Sequence, residues 1–112
     1  MSVQRWPVQW TGKRAVVEFP SDVDTSNAGS MREQLMSLVE NDGAVLLVVD
    51  MTQTMFCDSA GITALATAHK KVAAVGADMK VIATSAQVLR ILELTGLDRV
   101  LHVYPTMAAA LG

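Results

Sequence analysis

The chain has 112 residues, of which 51% are hydrophobic and 18% are charged, and its formal net charge is −2. This composition predicts one domain over residues 1–112 with enough apolar material for a core. The charge argues against a nucleic-acid partner, which would need a basic patch. No apolar run approaches the roughly 18 residues of a membrane span, and the first residues lack the apolar stretch of a signal peptide. We therefore expect a soluble, cytoplasmic domain.

The first forty residues predict a β-hairpin followed by a helix. Ala15, Val17 and Phe19 recur at every second position after the turn "TGK", as in a half-buried strand. The stretch "PSDVDTSNAGS" is dense in turn and capping residues, and apolar residues then recur at helical spacing up to Val39. "SMRE", residues 30–33, fits a capping box, but the polar residues before it suit the cap equally well.

The middle of the chain alternates between strand and helix patterns. "AVLLVVDM", residues 44–51, is apolar without alternation, which is typical of a strand buried on both faces. A helix then follows "CDSAG" and ends near Gly76, and "MKVIA", residues 79–83, predicts another strand.

The last third predicts a helix, a strand and a terminal helix. Ser85 is positioned to cap the first of these helices, whose apolar stripe includes Val88, Leu89 and Leu92. Gly96 suits the left-handed position after the helix, "RVLHVY" reads as a strand, and Pro105 suits the first turn of the final helix. The whole pattern predicts an α/β fold: a single small domain with a mixed four- to five-stranded sheet and about four helices.

The most informative stretch is "CDSAG", which places Ser59 at the start of a predicted helix. On local chemistry, Asp58 or Ser59 could simply cap that helix, a contribution of about 1 kcal/mol. Ala60 and Gly61 are small, so we expect them to leave the helix start open to a partner.

A catalytic role for this serine is the second interpretation. The nucleophile elbow G-x-S-x-G needs glycine where this chain has Cys57. His102 lies in an apolar strand pattern and is expected to be packed, His69 lies on a helical stripe, and Cys57 is expected to be a small buried hydrophobe. The sequence therefore predicts that the chain is not an enzyme and has no cofactor.

Phosphorylation is the third interpretation. A phosphoryl group would add about −1.5 to −2 charges, which a helix N-terminus can accommodate. Together with Asp58 it would form an anionic patch that an apolar partner surface could not bury unpaired. Phosphorylation of Ser59 would then break an interface while leaving the fold intact.

Two long segments carry a family resemblance. "VVDMTQTMFCDSAGITALATAHKKV" resembles the strand–"DSSG"–helix segment of STAS domains, in particular the bacterial anti-sigma factor antagonists. "LRILELTGLDRVLHVYPTMAAAL" is similar to the last third of that family, and the resemblance covers nearly the whole chain. It implies that the unphosphorylated chain binds an anti-sigma factor, a serine kinase that itself binds ATP, and so releases a sigma factor. It also implies that this kinase phosphorylates Ser59 and that a serine phosphatase reverses the change.

The resemblance also implies a partner surface around the serine. Asp24 matches the aspartate of the family's "GELD" motif, which lies near the phosphorylation turn. The implied partner-binding residues are Asp24, Thr25, Phe56, Asp58, Ala60 and Gly61. We expect Met55 and Phe56 to pack inward, the alternative being an apolar centre of the partner site.

The sequence departs from the family motif in two places. Ala60 stands where the motif has a second serine, and Ser21 and Asp22 replace the glycine and glutamate of "GELD". Because the superfamily also includes proteins that do not switch, a constitutive scaffold or transport-complex subunit, with Ser59 as only a helix cap, remains the alternative function.

Overall fold

The computed structural model describes residues 4–112, which contain seven strands and four α-helices. In chain order they are β1 (Val8–Thr11), β2 (Arg14–Glu18), β3 (Asp22–Val23), α1 (Ala28–Glu40), β4 (Leu46–Met51), β5 (Phe56–Cys57), α2 (Ser59–Ala74), β6 (Asp78–Ala83), α3 (Ala86–Leu94), β7 (His102–Tyr104) and α4 (Met107–Leu111). Five strands form a mixed sheet in the order β1-β2-β4-β6-β7, and β3 and β5 form a separate pair. The predicted α/β fold with a five-stranded sheet and four helices is confirmed, and the β3–β5 pair is an addition to it.

The N-terminal hairpin is present as predicted. β1 and β2 are antiparallel, and Gly12 in the turn has a φ of 59°, a conformation that glycine adopts without strain. The alternating side chains of Ala15, Val17 and Phe19 are all buried. Before β1, the buried Gln34 of α1 accepts a hydrogen bond from the Trp6 N–H (2.9 Å) and donates one to the Trp6 carbonyl (2.8 Å). This amide ties the start of the hairpin to α1.

β4 is the central strand of the sheet and is parallel to both of its neighbours, β2 and β6. Leu47, Val49 and Met51 point to the larger core, and Val48 points to a smaller core on the opposite face. The absence of alternation in residues 44–51 is thus explained, because helices cover both faces of this strand.

The two faces of the sheet are covered unequally. The larger core lies under α1, α2 and α3, and the largest of its fully buried helical side chains are Met31, Leu35, Leu65 and Leu92. The opposite face is covered by the short α4, which packs on Val48 and Ile82 through Ala110. Lys80 holds α4 in place: its Nζ donates to the Ala110 carbonyl at 2.6 Å and lies 5.4 Å from the centre of the Tyr104 ring.

Of the cap candidates that the sequence left open, the capping box at Ser30 does not form. α1 begins at Ala28, so Ser30 lies inside the helix, and Asn27 occupies the cap position. The Asn27 side chain bonds to the preceding loop instead of to the helix: its oxygen accepts from the Asp24 N–H (2.9 Å) and its amide donates to the Asp22 carbonyl (2.8 Å). The loop before α1 is therefore closed on itself by local hydrogen bonds.

Two further cap predictions need correction. Ser85 occupies the cap position of α3 but makes no side-chain cap, because its hydroxyl donates to the Met55 carbonyl at 3.1 Å. Pro105 precedes α4 instead of lying in its first turn, and the Thr106 hydroxyl caps that helix by accepting from the Ala109 N–H at 3.0 Å.

The ends of α2 and α3 follow the predictions, whereas the last strand is shorter. Gly76 and Gly96 have φ values of 78° and 77°, in the left-handed region that ends a helix. A 3₁₀ turn, Leu97–Arg99, then delays the start of β7 to His102. Within α3, Leu89 is 40% exposed and is not part of the buried stripe. It lies about 100° around the helix from Val88, beyond the narrow face that meets the sheet. Within residues 4–112, no helix is both long and apolar enough to span a membrane.

Candidate functional site

The β3–β5 pair brings the Asp24 loop next to the turn that carries Ser59. Asp22 lies opposite Phe56 and Val23 lies opposite Cys57 in a parallel register. The Asp58 N–H extends this pairing by donating to the Val23 carbonyl at 3.1 Å. Because Asp24 and Asp58 follow directly at the same ends of these two strands, the two predicted segments share one edge of the molecule.

The helix cap of α2 is Asp58, and Ser59 is the first residue of the helix. The Asp58 Oδ1 accepts hydrogen bonds from the N–H groups of Ala60 (2.9 Å) and Gly61 (3.2 Å). Ser59 is exposed at the surface. Of the two cap candidates in the sequence, the aspartate therefore has the structural role, worth about 1 kcal/mol.

Gly61 faces the interior and not the approach to the helix. The residue is buried, and a Cβ placed on it would lie 2.5 Å from Cys57 Sγ and 2.7 Å from Val23 Cγ1. The expectation that both small residues leave the helix start open is therefore wrong for Gly61. Its lack of a side chain lets α2 begin directly against β3 and β5, while Ala60 is half-buried.

Met55 and Phe56 lie at the surface, so the expectation that they pack inward is wrong. Met55 is 65% exposed and Phe56 is 44% exposed, whereas Cys57 is fully buried. For Phe56 the cause is the strand geometry, because β5 contains only Phe56 and Cys57 and successive side chains of a strand point to opposite sides; Met55 lies just before this strand. Cys57 takes the inward position, which leaves Phe56 facing outward beside the Ser59 turn.

The Asp24 loop is organised by its own polar groups. The Asp24 carboxylate accepts hydrogen bonds from the backbone N–H and the hydroxyl of Ser26. These two bonds favour the ionised form and hold the pKa of Asp24 below its usual value. Thr25, at the tip of this loop, is exposed. The loop thus presents a negative charge and a hydroxyl at the edge that also carries Ser59.

The groups considered for catalysis are not assembled around the serine. Cys57 is buried, and desolvation, together with the nearby charge of Asp58, raises the pKa of its thiol to about 11. His69 lies ten residues from Ser59 on the same helix, a rise of about 15 Å. His102 is exposed on β7, so the expectation that it is packed is wrong. Residues 4–112 also contain no cluster of three or more His, Cys, Asp or Glu residues suited to a metal ion.

Gln87 is the residue at this site that the sequence interpretation missed. Its side-chain oxygen accepts from the Cys57 N–H at 2.9 Å, and its side-chain nitrogen donates to the Cys57 carbonyl at 3.0 Å. The sequence signal is only one glutamine in the first turn of a helix. Its role depends on how α3 packs beside β5, which a local pattern does not encode.

The chain is similar to known proteins over nearly its full length. The family model of the STAS domain matches residues 6–110. A Mycobacterium tuberculosis protein, named as a candidate anti-anti-sigma factor, is 38% identical over 66 residues, which are 59% of this chain and 45% of that protein. The chain thus spans less than half the length of this relative.

Solved structures share the fold. A crystal structure of an anti-sigma factor antagonist from Mycobacterium paratuberculosis is 27% identical, with a TM-score of 0.84 over 95% of this chain and 89% of that one. A Bacillus cell fate determinant in its phosphorylated form is 14% identical, with a TM-score of 0.74 over 95% of this chain and 96% of that one. Because the family model accounts for all but a few terminal residues, the chain belongs to the STAS domain family.

Proposed function

We propose that the chain is an anti-sigma factor antagonist that is switched by phosphorylation of Ser59. In the unphosphorylated state it binds an anti-sigma factor, a serine kinase, and thereby releases a sigma factor. The kinase supplies the bound ATP, a serine phosphatase restores the binding state, and the chain itself has no catalytic activity or cofactor. Two relatives named as antagonists of this class support the proposal. Since sigma factors act in transcription, the chain would work in the cytoplasm.

The exposed position of Ser59 at the first residue of α2 is the observation that carries this proposal. A kinase must take the hydroxyl into its own active site, so the acceptor has to be accessible. Because Asp58 caps the helix, modification of Ser59 leaves the cap bonds to Ala60 and Gly61 in place. The domain can therefore gain a phosphoryl group and stay folded.

The surface around Ser59 combines apolar and acidic groups. Phe56 and the neighbouring Met55 supply exposed apolar area, the kind of group that anchors an interface. Asp24, Thr25 and Asp58 lie on the same edge, and Ala60 and Gly61 shape the helix start behind them. We propose that a partner covers this edge, with the buried Gly61 acting through the backbone geometry and not through direct contact.

Added charge would end such binding. A phosphoryl group brings about −1.5 to −2 charges next to the Asp58 carboxylate. A partner that buries Phe56 would then have to desolvate this charge as well, which is costly when no cation pairs with it. Repulsion from Asp58 and Asp24 would add to the effect.

A constitutive scaffold or transport-complex subunit is the alternative function. In that interpretation Ser59 serves only as the helix cap. The cap itself is made by the Asp58 carboxylate, so in a scaffold Ser59 would have no capping role either.

The test is intact-mass analysis of the chain after incubation with ATP and each candidate anti-sigma serine kinase from the same genome. We expect a gain of one phosphoryl group that is lost in Ser59→Ala and kept in Ser30→Ala, a control serine inside α1. Ser59→Asp should keep the fold and weaken binding to the same kinase. Stable binding to a kinase without any mass gain would contradict the switch and favour the scaffold.

A further inference from the structure

β5 has hydrogen-bond partners along both edges, although only one edge faces another strand. One edge pairs with β3. On the other edge, the Gln87 side chain accepts from the Cys57 N–H at 2.9 Å and donates to the Cys57 carbonyl at 3.0 Å. A primary amide offers one acceptor and two donors, so it can bond a residue as a neighbouring strand would. The Gln87 side chain therefore takes the place of a neighbouring strand at the second edge of β5.

α3 is a rigid base for this contact. Val88 and Leu92 of the helix have no exposed area, so the position of α3 is fixed by the core. Ser85 adds a second bond at the same edge, from its hydroxyl to the Met55 carbonyl at 3.1 Å. The first turn of α3 thus holds the backbone on both sides of the exposed Phe56.

The two bonds to Cys57 satisfy groups that water does not reach. Cys57 is fully buried, and a buried N–H or carbonyl without a partner is strongly unfavourable. The chain uses the same geometry at a second place, where the buried Gln34 bonds both backbone groups of Trp6. Loss of the Gln87 amide should therefore displace Cys57 until it finds other partners.

We propose that Gln87 is a positioning residue of the switch, which fixes Cys57 and, through it, the Asp58–Ser59 helix start against α3. This inference rests on the proposed function of Ser59. Cys57 immediately precedes the capping aspartate, so any shift of its backbone moves both the cap and the serine. With Gln87 in place, a kinase meets Ser59 in one defined position. We expect the held turn to keep its shape when charge is added, so that the partner is lost through the charge itself.

The test compares Gln87→Leu, Gln87→Glu and a matched control, Gln9→Leu, which makes the same change at an exposed position of β1. Amide hydrogen exchange and chemical shifts are measured by NMR on the full, unphosphorylated chain. In Gln87→Leu we expect the Cys57 amide to exchange at least about tenfold faster, because one hydrogen bond protects it. The Ser59 and Ala60 amide signals should shift, and exchange should accelerate more at Cys57 than in β4, whose amides report only the loss of global stability. The control should show neither effect.

Gln87→Glu separates the two bonds. Its carboxylate still accepts from the Cys57 N–H but no longer donates to the carbonyl, so the Cys57 carbonyl carbon signal should shift while the amide stays protected. The proposal is overturned if Gln87→Leu shows the same Cys57 exchange rate and the same Ser59 signals as the wild type. It is also overturned if amide exchange in β4 accelerates as much as exchange at Cys57. If Gln87→Leu does not fold, an unchanged Cys57 carbonyl signal in Gln87→Glu overturns it instead.

A kinase assay connects the geometry to the switch. With an anti-sigma kinase that phosphorylates the wild type, Gln87→Leu should lower kcat/KM at least about tenfold, as expected when a reacting group is displaced, and Gln9→Leu should not. Equal kcat/KM values in Gln87→Leu and the wild type would overturn the positioning role. Failure of every kinase to modify the wild type would instead refute the proposed function, and the NMR result would still decide whether Gln87 fixes the turn.

Discussion

Replacing Gly61 by alanine tests how closely α2 approaches β3 and β5. The new Cβ would lie 2.5 Å from Cys57 Sγ and 2.7 Å from Val23 Cγ1, well inside the usual contact distance of about 3.5–4.0 Å. Cys57 and Val23 are both buried, so neither can turn toward solvent. Overpacking of this kind costs about 1–3 kcal/mol, and alanine regains up to about 1 kcal/mol through helix propensity. These figures span a net loss of about 0–3 kcal/mol in the free energy of unfolding, and because both contacts are shorter than 3.0 Å and to buried side chains, we expect the upper half of that range.

Urea denaturation of the purified variants measures this loss, and Gly29→Ala is the matched control. Gly29 also lies near the start of a helix, but a Cβ there would meet nothing within 4 Å, so this variant should be as stable as the wild type or slightly more stable. Adding Cys57→Ala to Gly61→Ala removes one of the two clashes and should recover part of the loss beyond additivity. The packing argument is wrong if Gly61→Ala matches the wild type in stability while the control behaves as expected.

Three further predictions concern the same edge. Asp58→Ala should lower the free energy of unfolding by about 1 kcal/mol through loss of the cap, and Asp58→Asn should lose much less; equal losses in urea denaturation would refute the cap. The pKa of the Cys57 thiol is raised to about 11, so the unfolded chain loses this proton at lower pH than the folded chain does. The free energy of unfolding should therefore fall as the pH rises from about 9 to about 11, and Cys57→Ala should lack that slope. Fast labelling of the thiol in the folded chain at about pH 8 would contradict its burial. Ser26→Ala should raise the pKa of Asp24 toward its usual value, because both the hydroxyl and the ordered turn favour the carboxylate; an unchanged NMR titration would show that these bonds have no such effect.

Strong periodicity predicted the elements that build the core. The unbroken apolar run of β4 and the helical spacing from Ala28 to Val39 each reflect a single dominant environment, so a local pattern was sufficient. The helix ends at Gly76 and Gly96 were predicted equally well, because the left-handed position after a helix strongly favours glycine.

The failures arose where neighbouring elements decide the outcome. Phe56 is apolar but belongs to a two-residue strand whose inward position is taken by Cys57, and the exposed Met55 lies just before that strand. Ser85 has the composition of a cap, yet its hydroxyl is used by the backbone of Met55, thirty residues away in the chain. Gln87 is marked in the sequence only as one glutamine near the start of a helix. Its bonds exist only because the core sets α3 beside β5.

At the candidate site, the sequence identified the correct turn but not which of its residues caps the helix and which one packs inside. "DSAG" predicted a capped helix start with Ser59 at or near the cap, and either polar residue suited the cap chemically. The extended backbone at Asp58 assigns the cap to the aspartate. The same geometry turns Gly61 inward, so Gly61 packs against the strands while Ser59 faces solvent.

The unequal covering of the sheet has a consequence for truncated forms of this domain. α4 has only five residues, too few to be stable alone, and it depends on Ala110 in the smaller core and on the Lys80 bond to its last turn. Shortening the chain before Met107 would uncover Val48 and Ile82, which are now fully buried, and would leave Lys80 without its acceptor. Newly exposed apolar side chains on a sheet face favour self-association. The small terminal helix therefore shields apolar side chains of the sheet that would otherwise be exposed to other copies of the domain.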